Sequence, residues 1–319
     1  MKIASDILIQ LTQSLTPNFK SGVNEVDPQT FSLKPGKVDG SSVPTLSKTL
    51  TGSNWEIVAD INIGDAVRPA PTRHLCPDYG FDVPGQVFKS ALDAAAVWGV
   101  TPLSSSVPDS LSGIYFVEMD KGIHLVVPGP HSLVSFGILT TAIAPDALQD
   151  GVSFLSGAAA GILLDFVGLT NPHTVEVAII DSHTMTFTAF DSESNMIWNL
   201  SVSSKVTGRL ISKESITSRL EIPTEALGNP INARKWCQKT KAGLSKLKVS
   251  VPEFHGRLIS TDYLNQSIKV MGLLRTAKLS VDELTTKQTD VIRFVGIPSD
   301  RPGRVSSLES RFAIAPCAG

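Results

Sequence analysis

One segment of the chain concentrates side chains that can bind phosphate. Between Glu225 and Glu253 the sequence has no acidic residue and six cations: Arg234, Lys235, Lys239, Lys241, Lys246 and Lys248. Each cation can neutralise a nucleic-acid phosphate, and Trp236 within the run can stack on an exposed base. The alternative is a solvated helix face with Trp236 packed inward, as is usual for charge runs. The six cations are our predicted nucleic-acid contacts, and the solvated face stays open as the alternative.

A second group of polar residues lies close together in sequence and resembles a metal or hydrolytic site: His173, Glu176, Asp181 and His183. On a strand, His173 and Glu176 face opposite sides of the sheet, so they cannot share one site. We therefore interpret the group as polar residues at the end of a hairpin.

The search for other chemistry is negative. The sequence has no G-x-S-x-G elbow, phosphate loop, dinucleotide fingerprint or H-E-x-x-H motif. His74 lies near Cys76, but a zinc site needs two further ligands, and a loop position is the preferred interpretation. We predict no catalytic residue, metal site or cofactor, and we predict that the protein is not an enzyme.

Composition limits the function further. The chain has 319 residues, a formal net charge of -2, 42% hydrophobic residues and 18% charged residues. This balance excludes general disorder, and it excludes a protein whose whole surface binds nucleic acid, so any such role is local. The three cysteines are far apart and odd in number, which favours free thiols. Charges and Pro145 interrupt the most apolar stretch, residues 133–169, so we predict no membrane span.

Most predicted elements are strands. Trp55 to Ile63 alternates between apolar and polar residues, and Phe116 to Val127 is a predicted hairpin with Gly122 in its tip. The further predicted strands are 135–144, 174–180, 184–190, 196–202, 206–211, 216–222, 256–260, 267–274, 277–281 and 291–297. Strands this frequent, without regularly alternating helices, predict an antiparallel sandwich or barrel.

Three segments have a helical pattern, and residues 146–157 are a candidate helical turn. The three segments are the amphipathic stretch from Ile3 to Leu15, the run from Gln86 to Trp98 that stops at Gly99, and the weakly helical basic run from Pro230 to Leu247. Residues 158–167 are small and apolar and stay ambiguous between helix and strand. The polar stretch from Asn18 to Ser47 has no period, and we predict an extended arm.

A family resemblance rests on the stretch GIHLVVPGPHSLVSFGILTTAIAPDA. It resembles the paired strands of picorna-like virus coat proteins, in which a Gly-plus-aliphatic strand ends in Ala-x-x-Pro, here Gly137, Ile138, Leu139, Ala142, Ala144 and Pro145. PHTVEVAII, from Pro172, is similar to the next strand of the same jelly roll. The helix that ends in Val97, Trp98 and Gly99 is loosely similar to the helix ahead of the first pair.

The resemblance implies an all-β fold, an antiparallel jelly-roll or β-sandwich with short inserted helices and an extended N-terminal arm. The expected division is an arm over residues 1–47, a sandwich domain over 48–298 and an irregular tail over 299–319. It further implies a self-assembling subunit of an icosahedral, non-enveloped RNA-virus capsid. The expected partners are copies of itself, other coat proteins and genomic RNA, in the virion and in the host cytoplasm during assembly. The alternative is a β-sandwich binding module for glycans or proteins, such as an adhesin or tail component.

Overall fold

The computed structural model describes residues 5–14, 32–38, 41–52, 55–63, 80–99, 109–119, 122–139, 151–204, 206, 209–244, 253–254, 257–282, 291–298 and 308–315. Within these ranges the chain forms six α-helices, two large antiparallel sheets and one small hairpin. The helices are α1 (Ser5–Ser14), α2 (Gly85–Trp98), α3 (Gly157–Thr170), α4 (Lys213–Leu220), α5 (Ala233–Leu244) and α6 (Thr261–Leu273).

Sheet A has seven strands. Their spatial order is β1 (Ser32–Val38), β2 (Ser41–Thr51), β3 (Trp55–Asn62), β11 (Met196–Ser204), β10 (Thr184–Phe190), β9 (Thr174–Ile179) and β4 (Gly80–Pro84). All neighbouring strands pair antiparallel.

Sheet B has eight strands. Their spatial order is β12 (Ile231–Asn232), β15 (Lys278–Val281), β16 (Ile292–Ile297), β17 (Ser310–Ile314), β7 (Ser132–Leu139), β6 (Gly122–Gly129), β5 (Gly113–Met119) and β8 (Val152–Ser156). The small hairpin pairs β13 (Glu253–Phe254) with β14 (Arg257–Leu258).

One unit recurs along the chain: a helix followed by three antiparallel strands. It occurs as α1 with β1–β3, α2 with β5–β7, α3 with β9–β11 and α6 with β15–β17. The last strands of two units pair at the middle of each sheet, β3 with β11 in sheet A and β7 with β17 in sheet B. Each sheet is therefore two units joined side by side.

Two of these units exchange strands between the sheets. Strand β4 lies in sheet A but leads into α2 and sheet B, and β8 lies in sheet B but leads into α3 and sheet A. The register is the same at both crossings. The Gly85 N–H donates to the His173 carbonyl at 2.8 Å, and the Gly157 N–H donates to the Ser112 carbonyl at 2.8 Å. At Gly85 an added Cβ would overlap the Pro172 carbonyl, so only glycine fits.

The main core lies between the helices and the inner faces of both sheets. Alternating residues of the strands, such as Ile57, Ala59 and Ile61 of β3, join the buried faces of α2, α3 and α6 in one continuous cluster. Helix α1 belongs to the same core, because Leu11 is completely buried and α1 packs on α3. The five helices on this side are α1, α2, α3, α5 and α6.

A second apolar cluster lies on the opposite, outer face of sheet B. It contains Tyr115, Val117, Val126, Leu133 and Phe154, and Ile216 and Leu220 of α4 complete it. The segment that connects the last strand of sheet A to sheet B therefore covers this face.

The expected all-β jelly roll is wrong. Antiparallel pairing is present, but five helices form one side of the core, and repeated helix-plus-three-strand units replace the jelly-roll order. The quoted coat-protein strands belong to different sheets: β6 and β7 lie in sheet B, whereas β9 lies in sheet A beyond α3. The resemblance was carried by short strand patterns that any antiparallel sheet can produce.

The extended N-terminal arm is also wrong. Residues 32–38 and 41–51 form β1 and β2 of sheet A, and α1 packs on α3 of its own chain. Strand β2 runs across the predicted boundary at residue 47, and β17, inside the predicted tail, pairs with β16 and β7. Pairing in a sheet gives these polar stretches the order that their sequence does not show.

Three predicted strand regions are helical or irregular. Residues 267–274 lie mostly in α6, which Ser260 caps by accepting from the Asp262 N–H at 3.2 Å. Residues 216–222 lie mostly in α4, and the described residues of the predicted strand 206–211, which are 206 and 209–211, form no strand. Ile and Val in these helices gave the strand-like composition. By contrast, the predicted helices at α1, α2 and α5 and the strands β3, β9, β10 and β11 are confirmed.

Candidate nucleic-acid interface

The helices of the core form one row across both sheets. Helix α1 packs on α3, α3 on α2, α2 on α6 and α6 on α5. The row runs from the N-terminal unit to the C-terminal part of the chain, with the sheets behind it. The outward residues of these helices therefore make one continuous surface.

Side chains behind the row hold its members in place. The Trp98 ring of α2 stacks on Tyr263 of α6 with centroids 6.0 Å apart. Trp198 of sheet A donates from Nε1 to Thr170 Oγ1 of α3 at 2.9 Å, and its ring meets Phe166 edge-on at 5.5 Å. These contacts fix the separation and rotation of the helices, so the outward residues have defined positions.

Helix α5 stands at one end of the row and carries the predicted cations. Asn232 caps it, since Asn232 Oδ1 accepts from the Lys235 N–H at 2.9 Å. Its inner side holds buried Ala233 and half-buried Trp236 and Leu244, which pack on the core. The Trp236 ring lies 6.5 Å from Phe294 of sheet B. Trp236 thus packs inward, as the alternative interpretation of this run expected.

The cations of α5 occupy its outer side. Arg234, Lys235, Lys239 and Lys241 are all exposed, and Gln238 lies among them. None of the four forms an ion pair with another residue in the described part of the chain. Lys246 and Lys248 lie outside the described residues. Four of the six predicted contacts therefore share one exposed helix face.

The other helices of the row do not share this charge. On α2, Lys89 is neutralised by Asp93 at 2.7 Å. On α6, exposed Lys269 is balanced by exposed Asp262. On α1 and α3, the exposed charged residues that the structure describes are both acidic, Asp6 and Asp165. Positive charge is thus concentrated at the α5 end of the row.

The polar group near the β9–β10 hairpin does not form a site. Glu176 is buried on β9, whereas His173 and Asp181 are exposed, and Asp181 Oδ1 accepts from the His183 N–H at 2.7 Å within the turn. No group of three or more potential metal ligands occurs among the described residues. His74 and Cys76 lie outside the described residues.

Solved structures with this arrangement include DNA polymerase sliding clamps and a beta subunit of DNA polymerase III. The beta subunit of DNA polymerase III from Thermotoga maritima has a TM-score of 0.57 and 11% identity, covering 98% of this chain and 96% of that one. The DNA polymerase sliding clamp of Bacillus subtilis has a TM-score of 0.58 and 12% identity, covering 98% and 97%. That of Pseudomonas aeruginosa, solved with a ligand, has a TM-score of 0.57 and 12% identity, covering 98% of each chain.

The chain has the sliding-clamp fold. At 11–12% identity the match concerns the fold, and no family model and no curated protein sequence matches the chain. The match extends over almost the full length of both partners, so the repeated units and the helix row all belong to the sliding-clamp fold.

This fold corrects the functional expectations. The picorna-like coat protein, the capsid function and the virion location are wrong, because they depended on a jelly roll and the neighbours are sliding clamps. The expected shell of coat proteins around genomic RNA is wrong for the same reason. The adhesin or tail-component alternative, which required a simple β-sandwich, is also wrong.

The prediction that the chain is not an enzyme is consistent with the sliding-clamp fold, since its neighbours are described as clamps. Among the described residues, no helix is long and apolar enough to cross a membrane.

Proposed function

We propose that the chain is a subunit of a DNA sliding clamp, in which copies close into a ring around duplex DNA and hold a polymerase on it. The observation that carries this proposal is the helix row, which ends in four exposed cations on α5. The sliding-clamp fold supports it over nearly the whole chain.

The charges on the row fit contact with the DNA backbone. Lys and Arg that neutralise phosphates bind without regard to sequence, which a protein that moves along DNA requires. Trp236, the aromatic residue within the run, packs on Phe294 and is not presented for base stacking. The chain carries a net charge of -2, so attraction to DNA is confined to α5 and its surroundings.

The sheets supply edges that can close a ring. Strand β1 is an edge strand of sheet A, and the short strand β12 is an edge strand of sheet B. Edge strands present unpaired N–H and C=O groups that can pair with another chain. Joining two different edges gives a head-to-tail interface, which forms a ring when the rotation closes.

Encirclement can be tested without any loading factor. A short duplex with biotin at both ends is incubated with the protein, streptavidin is then added, and dissociation is followed at raised salt. A ring that has threaded onto the DNA is trapped, so we expect dissociation to be much slower with blocked ends than with free ends. Equal dissociation from blocked and free duplexes would refute encirclement.

The role of α5 is tested with a double variant that removes two of its positive charges, Lys239→Gln/Lys241→Gln. We expect weaker DNA binding and a log–log salt slope that is smaller by roughly 0.9 for each phosphate that the variant no longer neutralises. The matched control is Arg209→Gln/Lys278→Gln, which removes two exposed cations outside the helix row. If both variants lower the slope equally, the attraction is general and α5 is not the contact surface.

A further inference from the structure

The connection between the two sheets crosses the outer face of sheet B. After β11 ends at Ser204, residues 209–223, here named the strap, pass over β5, β7 and β17 before the chain enters β12. Helix α4 forms the middle of the strap. Among the described residues, the strap thus contributes most of the cover over the second apolar cluster.

Four apolar residues anchor the strap. Ile216 and Leu220 of α4 are its only buried residues, and Leu210 and Ile211 are half-buried against the same cluster. At its start, the Ile211 N–H donates to the Tyr115 hydroxyl at 3.3 Å. Lys213 Nζ lies 3.5 Å from Glu118 Oε2, and both side chains are about one-third exposed.

A single arginine holds the end of α4. Arg293 of β16 donates from Nη1 to the Glu221 carbonyl at 3.1 Å and to the Ser218 carbonyl at 3.4 Å. The same guanidinium donates from Nε to Asp282 Oδ2 at 2.8 Å, and the Asp282 side chain is fully buried. A cation on the last carbonyls also complements the helix dipole. We name this group, Arg293 with Asp282 and the two carbonyls, the latch.

Helix α4 depends on this docking. It has eight residues, fewer than an isolated helix needs to be even marginally stable in water. Once undocked it would lose its helical structure, so its contacts form or break together. The sheet beneath it has its own support, because its inner face belongs to the separate main core. Segments with few buried contacts open locally at a lower free energy than the global unfolding.

From these contacts we propose that the strap is a cover that opens as a unit when the latch releases, while sheet B stays folded. Opening uncovers the apolar outer face formed by Tyr115, Val126, Leu133 and Phe154. This device is independent of the DNA proposal, because α4 lies on the face of sheet B opposite the helix row.

Native-state hydrogen exchange on the full chain tests the proposal. We expect the amides of residues 216–221 to exchange roughly 100-fold or more faster than those of β6 and β7, with rates that do not change in low urea. That pattern is the signature of local opening. If α4 exchanges at the rate of β6 and β7 and with the same urea dependence, the strap opens only on global unfolding and the proposal fails.

The latch is tested by Arg293→Met, with Arg311→Met as the matched control. Both arginines lie on the outer face of sheet B, and each pairs with a carboxylate, Arg311 with Glu309 at 2.7 Å. We expect Arg293→Met to speed exchange in α4 at least tenfold and to leave β6 and β7 unchanged, whereas Arg311→Met has no selective effect on α4. Equal effects of the two variants on α4 would overturn the latch. The wild-type exchange pattern decides the proposal even if Arg293→Met does not fold.

Discussion

The two sheets are built from the same repeated unit, but the side chains on their outer faces differ in polarity. Because the crossings at β4 and β8 share one register, Asp82 and Glu176 of sheet A occupy the positions of Phe154 and Tyr115 in sheet B. The acidic pair lies on the outer face of sheet A, where Asp82 is exposed and Glu176 is buried. The aromatic pair, with ring centroids 4.9 Å apart, lies under the strap.

This difference shows that the repeated unit constrains the residue types on the inner faces of the sheets, whereas the residue types on the outer faces can vary. On sheet A, a polar line continues from Glu176 across the neighbouring strands through Thr188, Asn199 and Asp60. On sheet B, the equivalent row begins with the apolar cluster residues Phe154, Tyr115 and Val126 and becomes polar only at Ser135 and Arg311. The sequence of a strand in this fold can therefore alternate between apolar and polar residues or be continuously apolar, depending on whether another segment packs on its outer face.

The largest effect is expected at the aromatic pair. Phe154→Ala should lower the free energy of unfolding by about 3–5 kcal/mol, because the ring is buried between sheet B and the strap. Urea unfolding followed by circular dichroism measures the decrease.

The control is the equivalent position in the other sheet. Asp82→Ala should change the free energy of unfolding by less than about 1 kcal/mol, because Asp82 is exposed at the edge of sheet A. Similar decreases in both variants would show that the two outer faces are equally important to stability, against the comparison.

The sequence predicted those helices and strands that bury one face and expose the other, because their apolar residues recur with a clear period. Strand β3 alternates along its length, and α2 has an apolar stripe that ends at Gly99 with a positive φ of 119°. Helix α3 is ambiguous in sequence because it packs on neighbours around most of its circumference and is apolar on nearly every side. Strands β5, β6 and β7 of sheet B were predicted, but the reason for their continuous apolar character is α4, which the sequence pattern predicts as a strand.

The repeat itself is not visible in the sequence. Equivalent positions such as Asp82 and Phe154 differ in every property, because only the inner face is under a common constraint. Pairings such as β3 with β11 join residues more than a hundred positions apart and leave no local trace. The basic run was correctly located on a helix, but its place at the end of a helix row required the tertiary structure.

An intermediate effect is expected at the hydroxyl of Tyr115. It donates to the Ser110 carbonyl at 2.8 Å and accepts from the Ile211 N–H in the strap. Tyr115→Phe removes both bonds and should lower the free energy of unfolding at pH 7 by about 1 kcal/mol. Burial raises the pKa of Tyr115 from 10.0 to about 12, partly offset by the bond from Ile211.

The pH dependence sharpens this prediction. Since the folded-state pKa is raised, the contribution of the neutral hydroxyl is fully present below pH 10 and is lost as the pH rises through 12. The wild-type protein should therefore lose its advantage over Tyr115→Phe between these values. The free energy of unfolding of both proteins is measured across this pH range. In the difference between them, the contributions of the other groups that titrate there cancel. A constant difference up to pH 12 would contradict the burial of this hydroxyl.

The smallest effect is expected on the polar line of sheet A. Asn199 donates from Nδ2 to Thr188 Oγ1 at 2.8 Å, across the pairing of β11 with β10. Asn199→Ala should cost about 0.5–1 kcal/mol, the net value of one hydrogen bond between neutral side chains. Ser201→Ala, whose contacts to Thr186 and Asn199 are 3.4 and 3.5 Å long, should cost less and serves as the control. A decrease at Asn199 as large as that at Phe154 would mean that sheet A is held from its outer side as firmly as sheet B is, and that the strap is not what distinguishes them.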